Sequence, residues 1–330
     1  MEAETYRCAL TSEESLTVRD AAAAATAFLP DLPNTFSDRL PSRFRDELGR
    51  LSAADDEHGF RLFDVLGPGE LGELPESPTA ERPTLPENDW TAALLFVVAQ
   101  VLGELVGYED EKGGALIHDV CPVRGKEHFI ENVGASKLGL HTENVHHPLR
   151  PDNVVLFCLR GDHDRVAALR VASVRRALAG LSSDVVSVLR QPRFRSTYPT
   201  SFGLGEDCRR PRSEAHPVLG GSAELPVIRF NTHNTEGLDA AAEAAREVLD
   251  QRLDEVSLRL HLRPGQLAVL NNRLVVHGRT PFQPQYDGRD RWLRRCYAVR
   301  ALAPSIRAAM PRPRVLPRMP HLLRLTSSAR

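Results

Sequence analysis

A chain of 330 residues with 42 basic and 44 acidic side chains has a formal net charge of −2, so nothing in its charge calls for nucleic acid or an anionic membrane as partner. Its five cysteines, Cys8, Cys121, Cys158, Cys208 and Cys296, are odd in number and lack CxxC spacing. That argues against a disulfide framework or a thiolate zinc site and fits a reduced, cytoplasmic setting. The acidic start has no signal-peptide layout. The longest apolar run, 92–106, contains Gln100 and Glu104 and is too short to span a bilayer.

In chain order, the first hundred residues are predicted to be helical, with amphipathic segments at 18–28, 36–51 and 89–105 broken by Pro30, Pro33 and a Pro/Glu-rich loop over 74–88. From Ala115 the texture changes to short β-type runs at 115–120, 128–133, 138–141, 154–159, 227–230, 258–262, 267–270, 274–277 and 293–299. Two helices, 164–178 and 238–256, are predicted between them. Many short strands with few strand-helix-strand alternations point to a mainly β fold with flanking helices, an antiparallel barrel or jelly roll. We expect a single domain: helical support over 1–110, a jelly-roll core over 115–300 with helical insertions, and a basic Pro/Arg-rich tail over 304–330. That tail has six arginines and no Asp or Glu, and is expected to be solvated or loosely packed.

The chemistry concentrates in two places. His141-Thr142-Glu143-Asn144 ends a predicted strand, where residues i and i+2 project to one side, whereas on a helix they diverge. Val275-Val276-His277 follows a strand, Pro-Gly turn, strand pattern and brings a second imidazole to a strand end. Two histidines and a carboxylate on one face, with the other face open, are the ligand set of non-haem Fe(II) oxygenases. Arg291, one strand beyond His277, has the planar fork that clamps a carboxylate bidentately.

These motifs resemble the clavaminate synthase-like family of Fe(II)/2-oxoglutarate oxygenases, which includes arginine and asparagine hydroxylases of peptide-antibiotic biosynthesis. The resemblance rests on His141-Thr142-Glu143-Asn144 with His147-Pro148-Leu149-Arg150-Pro151-Asp152, and on His277-Gly278-Arg279-Thr280-Pro281-Phe282 running through Tyr286-Asp287-Gly288-Arg289-Asp290-Arg291-Trp292-Leu293-Arg294-Arg295. It implies a distorted jelly roll (double-stranded β-helix) in which His141, Glu143 and His277 bind Fe(II) and Arg291 holds the distal carboxylate of 2-oxoglutarate, with O₂ as the other cosubstrate. It further implies Arg295 as contact for the substrate α-carboxylate, with Glu143, Asn132 and Asn231 as further substrate contacts. Two positions depart from the family pattern. Leu169 stands where relatives often place a Thr near the cosubstrate. Asn231 stands where relatives acting on guanidinium groups tend to carry an Asp. Asn231 cannot neutralise a cation but offers a donor and an acceptor to an amide or ureido group.

The expected activity is therefore hydroxylation of a free L-amino acid with a long polar side chain, citrulline or arginine first, in specialised metabolism. Alternatives are the same chemistry on lysine, glutamine or asparagine, or on an amino acid tethered to a carrier protein, and a zinc-holding jelly-roll protein or hydrolase. Among bland readings, His146 or His147 could replace His141, while His118, His233 and His261 read as ordinary surface or core residues. Arg294 should face away from Arg291 and Arg295, and Asn231 could equally be an amide capping the loop that follows it.

Overall fold

The computed structural model describes residues 5–53, 55–67, 69–78, 89–125, 134–199, 202 and 211–327. In the N-terminal third, strands β1 (Arg7–Ala9), β2 (Phe60–Asp64) and β3 (Glu104–Tyr108) alternate with helices α1 (Ser12–Ala25), α2 (Ser42–Arg50) and α3 (Trp90–Leu102). The middle carries β4 (His118–Val120), β5 (Leu138–His141), β6 (Asn153–Arg160), β7 (Leu169–Ser173), α4 (Val174–Leu178), α5 (Ser183–Leu189), β8 (Phe194–Ser196), β9 (Leu219–Gly221), β10 (Pro226–Ile228), β11 (Thr235–Gly237) and α6 (Ala240–Val256). The remainder is β12 (Leu258–Leu260), β13 (Gln266–Asn271), β14 (Val275–Arg279), β15 (Trp292–Val299), α7 (Pro304–Ala308), β16 (Val315–Leu316) and α8 (Met319–Ser327).

Two sheets face each other. The larger runs β1-β2-β13-β6-β15-β3-β16, with β4 beside β15, and the smaller runs β12-β7-β14-β5. This is the expected jelly roll. The central strand β6 explains the layering, because it is apolar on both faces: Val154, Leu156 and Cys158 join the core between the sheets, whereas Val155, Phe157 and Leu159 join a second core under the helices. A strand covered on both sides reads as a continuous apolar run. The covering helix α3 is apolar all round and correspondingly buried. Asp89 caps it, accepting from the Thr91 and Ala92 amides at 3.0 and 3.3 Å.

Three expectations need correction. The first hundred residues are not purely helical, since β1 and β2 extend the large sheet, with Leu62 opposite Ala268. The segment 164–178 is helical only in its last turn. Leu169–Ser173 instead pairs with β12 and β14, so sheet pairing overrides the local helical pattern. The basic segment 304–327 is not a loose tail. Its β16 adds to β3 in parallel, Ile306, Leu316, Met319 and Leu322 are buried, and Arg307 reaches Glu104 at 2.7 Å. The predicted strand 128–133, including Asn132, and most of the 74–88 loop lie outside the described residues. No helix among the described residues is long and apolar enough to cross a membrane.

Candidate active site

The last residue of β5 is His141, and its antiparallel partner on β14 is His277. Directly opposed residues bring their Cβ atoms to about 5 Å, and here the two imidazole rings lie 4.4 Å apart. Such close strands require Gly278: a Cβ there would sit 2.5 Å from the Leu138 carbonyl oxygen, and the ladder is irregular between His277 and Arg279. Beyond His141 the chain leaves the sheet, so Glu143 returns to the same side from the following turn. Its backbone is gripped by Asn272, which is fully buried: the Glu143 amide donates to Asn272 Oδ1 at 2.7 Å, and Asn272 Nδ2 donates to the Glu143 and Pro151 carbonyls.

The three side chains converge. Glu143 Oε2 lies 3.2 Å from His277 Nε2 and 3.9 Å from His141 Nε2. His141 Nδ1 donates to the Gly139 carbonyl at 2.9 Å, which turns the Nε2 lone pair toward Glu143. Burial, reinforced by His277, pulls the His141 pKa down to about 4, so the ring is neutral at pH 7. Burial alone would raise Glu143, but the Arg295 guanidinium and the two imidazoles outweigh it and hold the carboxyl well below its usual range. Glu143 Oε2 is buried without a hydrogen-bond donor. An orphaned carboxylate oxygen facing two imidazole nitrogens is a donor set that fits Fe(II). His146 and His147 do not replace His141: both are buried, His146 stacks against Tyr198, and His147 Nδ1 accepts from the Leu149 amide.

Arg291 immediately precedes β15. It is 6% exposed and has no hydrogen-bond or ion-pair partner among the described residues, and burial lowers its pKa. A buried guanidinium with no ion-pair partner is costly, and such a position suits an anionic ligand. Leu169 lies on β7 opposite Arg279 and is buried in the inter-sheet core, so it offers an apolar side chain and no hydroxyl.

Arg295 lies on the face that alternation predicts, but its guanidinium is engaged. Nη1 donates to Glu143 Oε1 at 2.8 Å, and Nη2 contacts Glu111 Oε1 at 3.1 Å and His118 Nδ1 at 3.0 Å. The Tyr297 hydroxyl lies 3.0 Å from both Glu143 Oε1 and Glu111 Oε1. Glu111, only 2% exposed, has its pKa raised by burial against the opposing pull of Arg295. Glu111, Tyr297 and Asn272 carry no assignment from sequence, and His118, expected to be an ordinary surface or core residue, instead meets Arg295. Tyr297 alone had a signal, being two residues beyond Arg295 on the same strand face. Arg294 turns away as expected, to Asp89, Asp119 and Thr91. Asn231 lies beside His141 through an isolated bridge, and its Oδ1 caps the following turn, accepting from the His233 and Asn234 amides at 2.9 and 3.0 Å.

Residues 94–297 match the model of the taurine catabolism dioxygenase TauD, TfdA family. The chain is 41% identical over 266 residues to an L-asparagine oxygenase of Streptomyces coelicolor, covering 80% of this chain and 78% of that one. It is 31% identical over 291 residues to clavaminate synthase 2 of Streptomyces clavuligerus, covering 84% and 89%. Among solved structures, asparagine oxygenase in complex with Fe(II), 2S,3S-3-hydroxyasparagine and succinate superposes with a TM-score of 0.85 at 34% identity, over 95% of this chain and 99% of that one. The non-haem iron oxygenase OrfP with iron and alpha-ketoglutaric acid superposes at 0.79 and 27% identity, over 94% and 99%. The chain belongs to the TauD/TfdA family and is a non-haem iron, 2-oxoglutarate-dependent amino-acid oxygenase.

Proposed function

We propose that this protein hydroxylates a free L-amino acid whose side chain ends in an oxygen acceptor, L-asparagine first, with Fe(II) on His141, Glu143 and His277 and the distal carboxylate of 2-oxoglutarate on Arg291. The observation that carries the proposal is the pairing of an orphaned Glu143 Oε2 between two imidazoles with the buried, unpartnered guanidinium of Arg291. When bound, iron and 2-oxoglutarate supply the oxidising power, and the protein aims one C–H bond.

The residues divide that labour. Arg295 and Tyr297 hold Glu143 by Oε1, which leaves Oε2 for the metal. Arg295 beside Glu111 supplies opposite charges side by side, a complement to the carboxylate and ammonium of a zwitterion. Side-chain selection falls to Asn231. Its Oδ1 is consumed by the turn, so only Nδ2 donors remain, and Nδ2 has no acceptor among the described residues. Donors favour an amide, ureido or carboxylate oxygen and give nothing to guanidinium or ammonium. Citrulline therefore fits better than arginine, and the similarity to L-asparagine oxygenase favours asparagine over both. Solved structures of asparagine oxygenase and OrfP hold 2S,3S-3-hydroxyasparagine and (3S)-hydroxy-L-Arg, which favours a free substrate over a carrier-bound one. The four described cysteines are all free thiols, in keeping with a reducing cytoplasm.

The test is succinate release with Fe(II), 2-oxoglutarate and O₂ across asparagine, glutamine, citrulline, aspartate, arginine, lysine and ornithine, with free asparagine compared against its carrier thioester. Oxygen-ended side chains should be turned over ahead of the cationic ones. A preference for arginine or lysine would overturn the assignment of Asn231, and no succinate from any amino acid would overturn the activity.

A further inference from the structure

Arg291 belongs to no ladder itself: it joins the 281–290 loop to β15. On its C-terminal side the sheet departs from regular pairing. Trp292 pairs with Arg160, but Leu293 pairs with Cys158, so Leu159 is an extra residue on β6. A bulge of this kind bends its strand and re-aims the side chains beside it. On the N-terminal side the loop is fastened from outside. Ser77 donates by Oγ to the Asp290 carbonyl at 2.5 Å and by its amide to the Gly288 carbonyl at 2.7 Å. Arg160 in turn donates to Ser77 Oγ at 2.6 Å, to the Gly288 carbonyl at 2.8 Å and to the Pro75 carbonyl at 3.0 Å. The Asp290 carboxylate, 1% exposed, folds back onto its own loop and accepts from the Gln285 and Tyr286 amides at 2.9 and 2.6 Å.

Arg160 is thus the common member of both devices. Its backbone closes the bulge against Trp292, and its guanidinium ties 75–77 to 288–290, the segment that delivers Arg291. We propose that Arg160, acting through Ser77 and the 288–290 backbone, is a positioning residue for the cosubstrate: it sets the direction in which Arg291 presents its fork to the distal carboxylate of 2-oxoglutarate. This rests on the assignment of Arg291 as that clamp. Bidentate pairing tolerates little misalignment, and a shift of about 1 Å in a remote support is enough to cost a large factor in rate. The network uses both terminal nitrogens of Arg160 and touches three carbonyl or hydroxyl oxygens, so a lysine can restore only part of it.

The experiment measures 2-oxoglutarate affinity by calorimetry with Mn(II) in place of iron, for the wild type, Arg160→Met, Arg160→Lys, Ser77→Ala and Arg291→Ala, alongside KM for the amino acid and the melting temperature. Arg160→Met should weaken 2-oxoglutarate by about tenfold, Ser77→Ala by about threefold, and the amino-acid KM should move by less than about twofold. Arg160→Lys should lie between wild type and methionine. Should Arg160→Met fail to fold, Ser77→Ala decides. Arg291→Ala with unchanged 2-oxoglutarate affinity would overturn the clamp assignment and this inference with it. Lost binding in Arg291→Ala with wild-type affinity in the Arg160 and Ser77 variants would overturn the positioning role alone. Equal loss for both substrates, with no rescue by lysine, would also overturn it by showing a general defect of the fold.

Discussion

Arg294 and Arg295 are adjacent, both largely buried, and each meets two carboxylates, yet they serve different halves of the molecule. Arg294 points into the helix layer and binds Asp89 and Asp119 around the start of α3. Arg295 points between the sheets and binds Glu143 and Glu111. The alternation of β15 is the whole cause of the difference. It makes one arginine a fastener between sheet and helix and sets the other against Glu143 in the proposed metal and substrate site. Burial and ion pairing alone do not separate the two roles; the strand face does.

That comparison can be broken most severely at the metal ligands. Replacing Glu143 or His277 by Ala should lower turnover by about a thousandfold or more, since neither open-site coordination nor cosubstrate chelation survives. Mn(II) affinity should fall in parallel. The two arginines come next. Arg294→Met leaves Asp89 and Asp119 without their cation, at a cost of about 3–5 kcal/mol in stability. It should depress the melting temperature while leaving KM values in the folded fraction unchanged. Arg295→Met should do the reverse, weakening metal affinity by about 10- to 100-fold, because Glu143 loses its anchor, with a smaller thermal shift. Equal behaviour of the two variants would erase the distinction.

The selectivity change is smaller. Asn231→Asp keeps one oxygen for the turn and puts a second, anionic one in place of Nδ2, so on the proposed role of Asn231 the arginine-to-asparagine turnover ratio should rise by about tenfold. An unchanged ratio would return Asn231 to a purely capping role. The smallest effect concerns pH. His141, His147 and His216 have folded pKa values lowered to about 4, 3 and 3, burial being the first cause in each. Below about pH 6.5, the ordinary histidine value, the unfolded chain takes up protons that the fold excludes. The contribution of these three rings is thus fully present above about pH 6.5 and is lost progressively as pH falls toward about 3. Thermal melts of the metal-free protein should follow that direction, and a melting temperature that rises on acidification through this window would contradict it.

The grouping of His141, Glu143 and His277 was legible because the first two stand two apart at a strand end and the third lies on another strand, whereas the clamp role of Arg291, just ahead of β15, is a proposal. The jelly roll was legible from the succession of short apolar runs. Glu111, His118 and Asn272 were not, because each is a single polar residue delivered from a turn or a short strand by pairings distant in sequence. β4, for example, brings His118 opposite Arg295. The C-terminal segment misled for a related reason. Its arginines and prolines carry the composition of a tail, while its few apolar residues are spaced to complete a sheet edge and the core behind it.

The most direct test of the account is product stoichiometry in the iron-reconstituted protein. With Fe(II), 2-oxoglutarate, O₂ and asparagine, succinate and a singly hydroxylated amino acid should form in equal amounts, and neither should form with Glu143→Ala. Tightly held zinc with indifference to iron, or turnover that persists without Glu143, would contradict it.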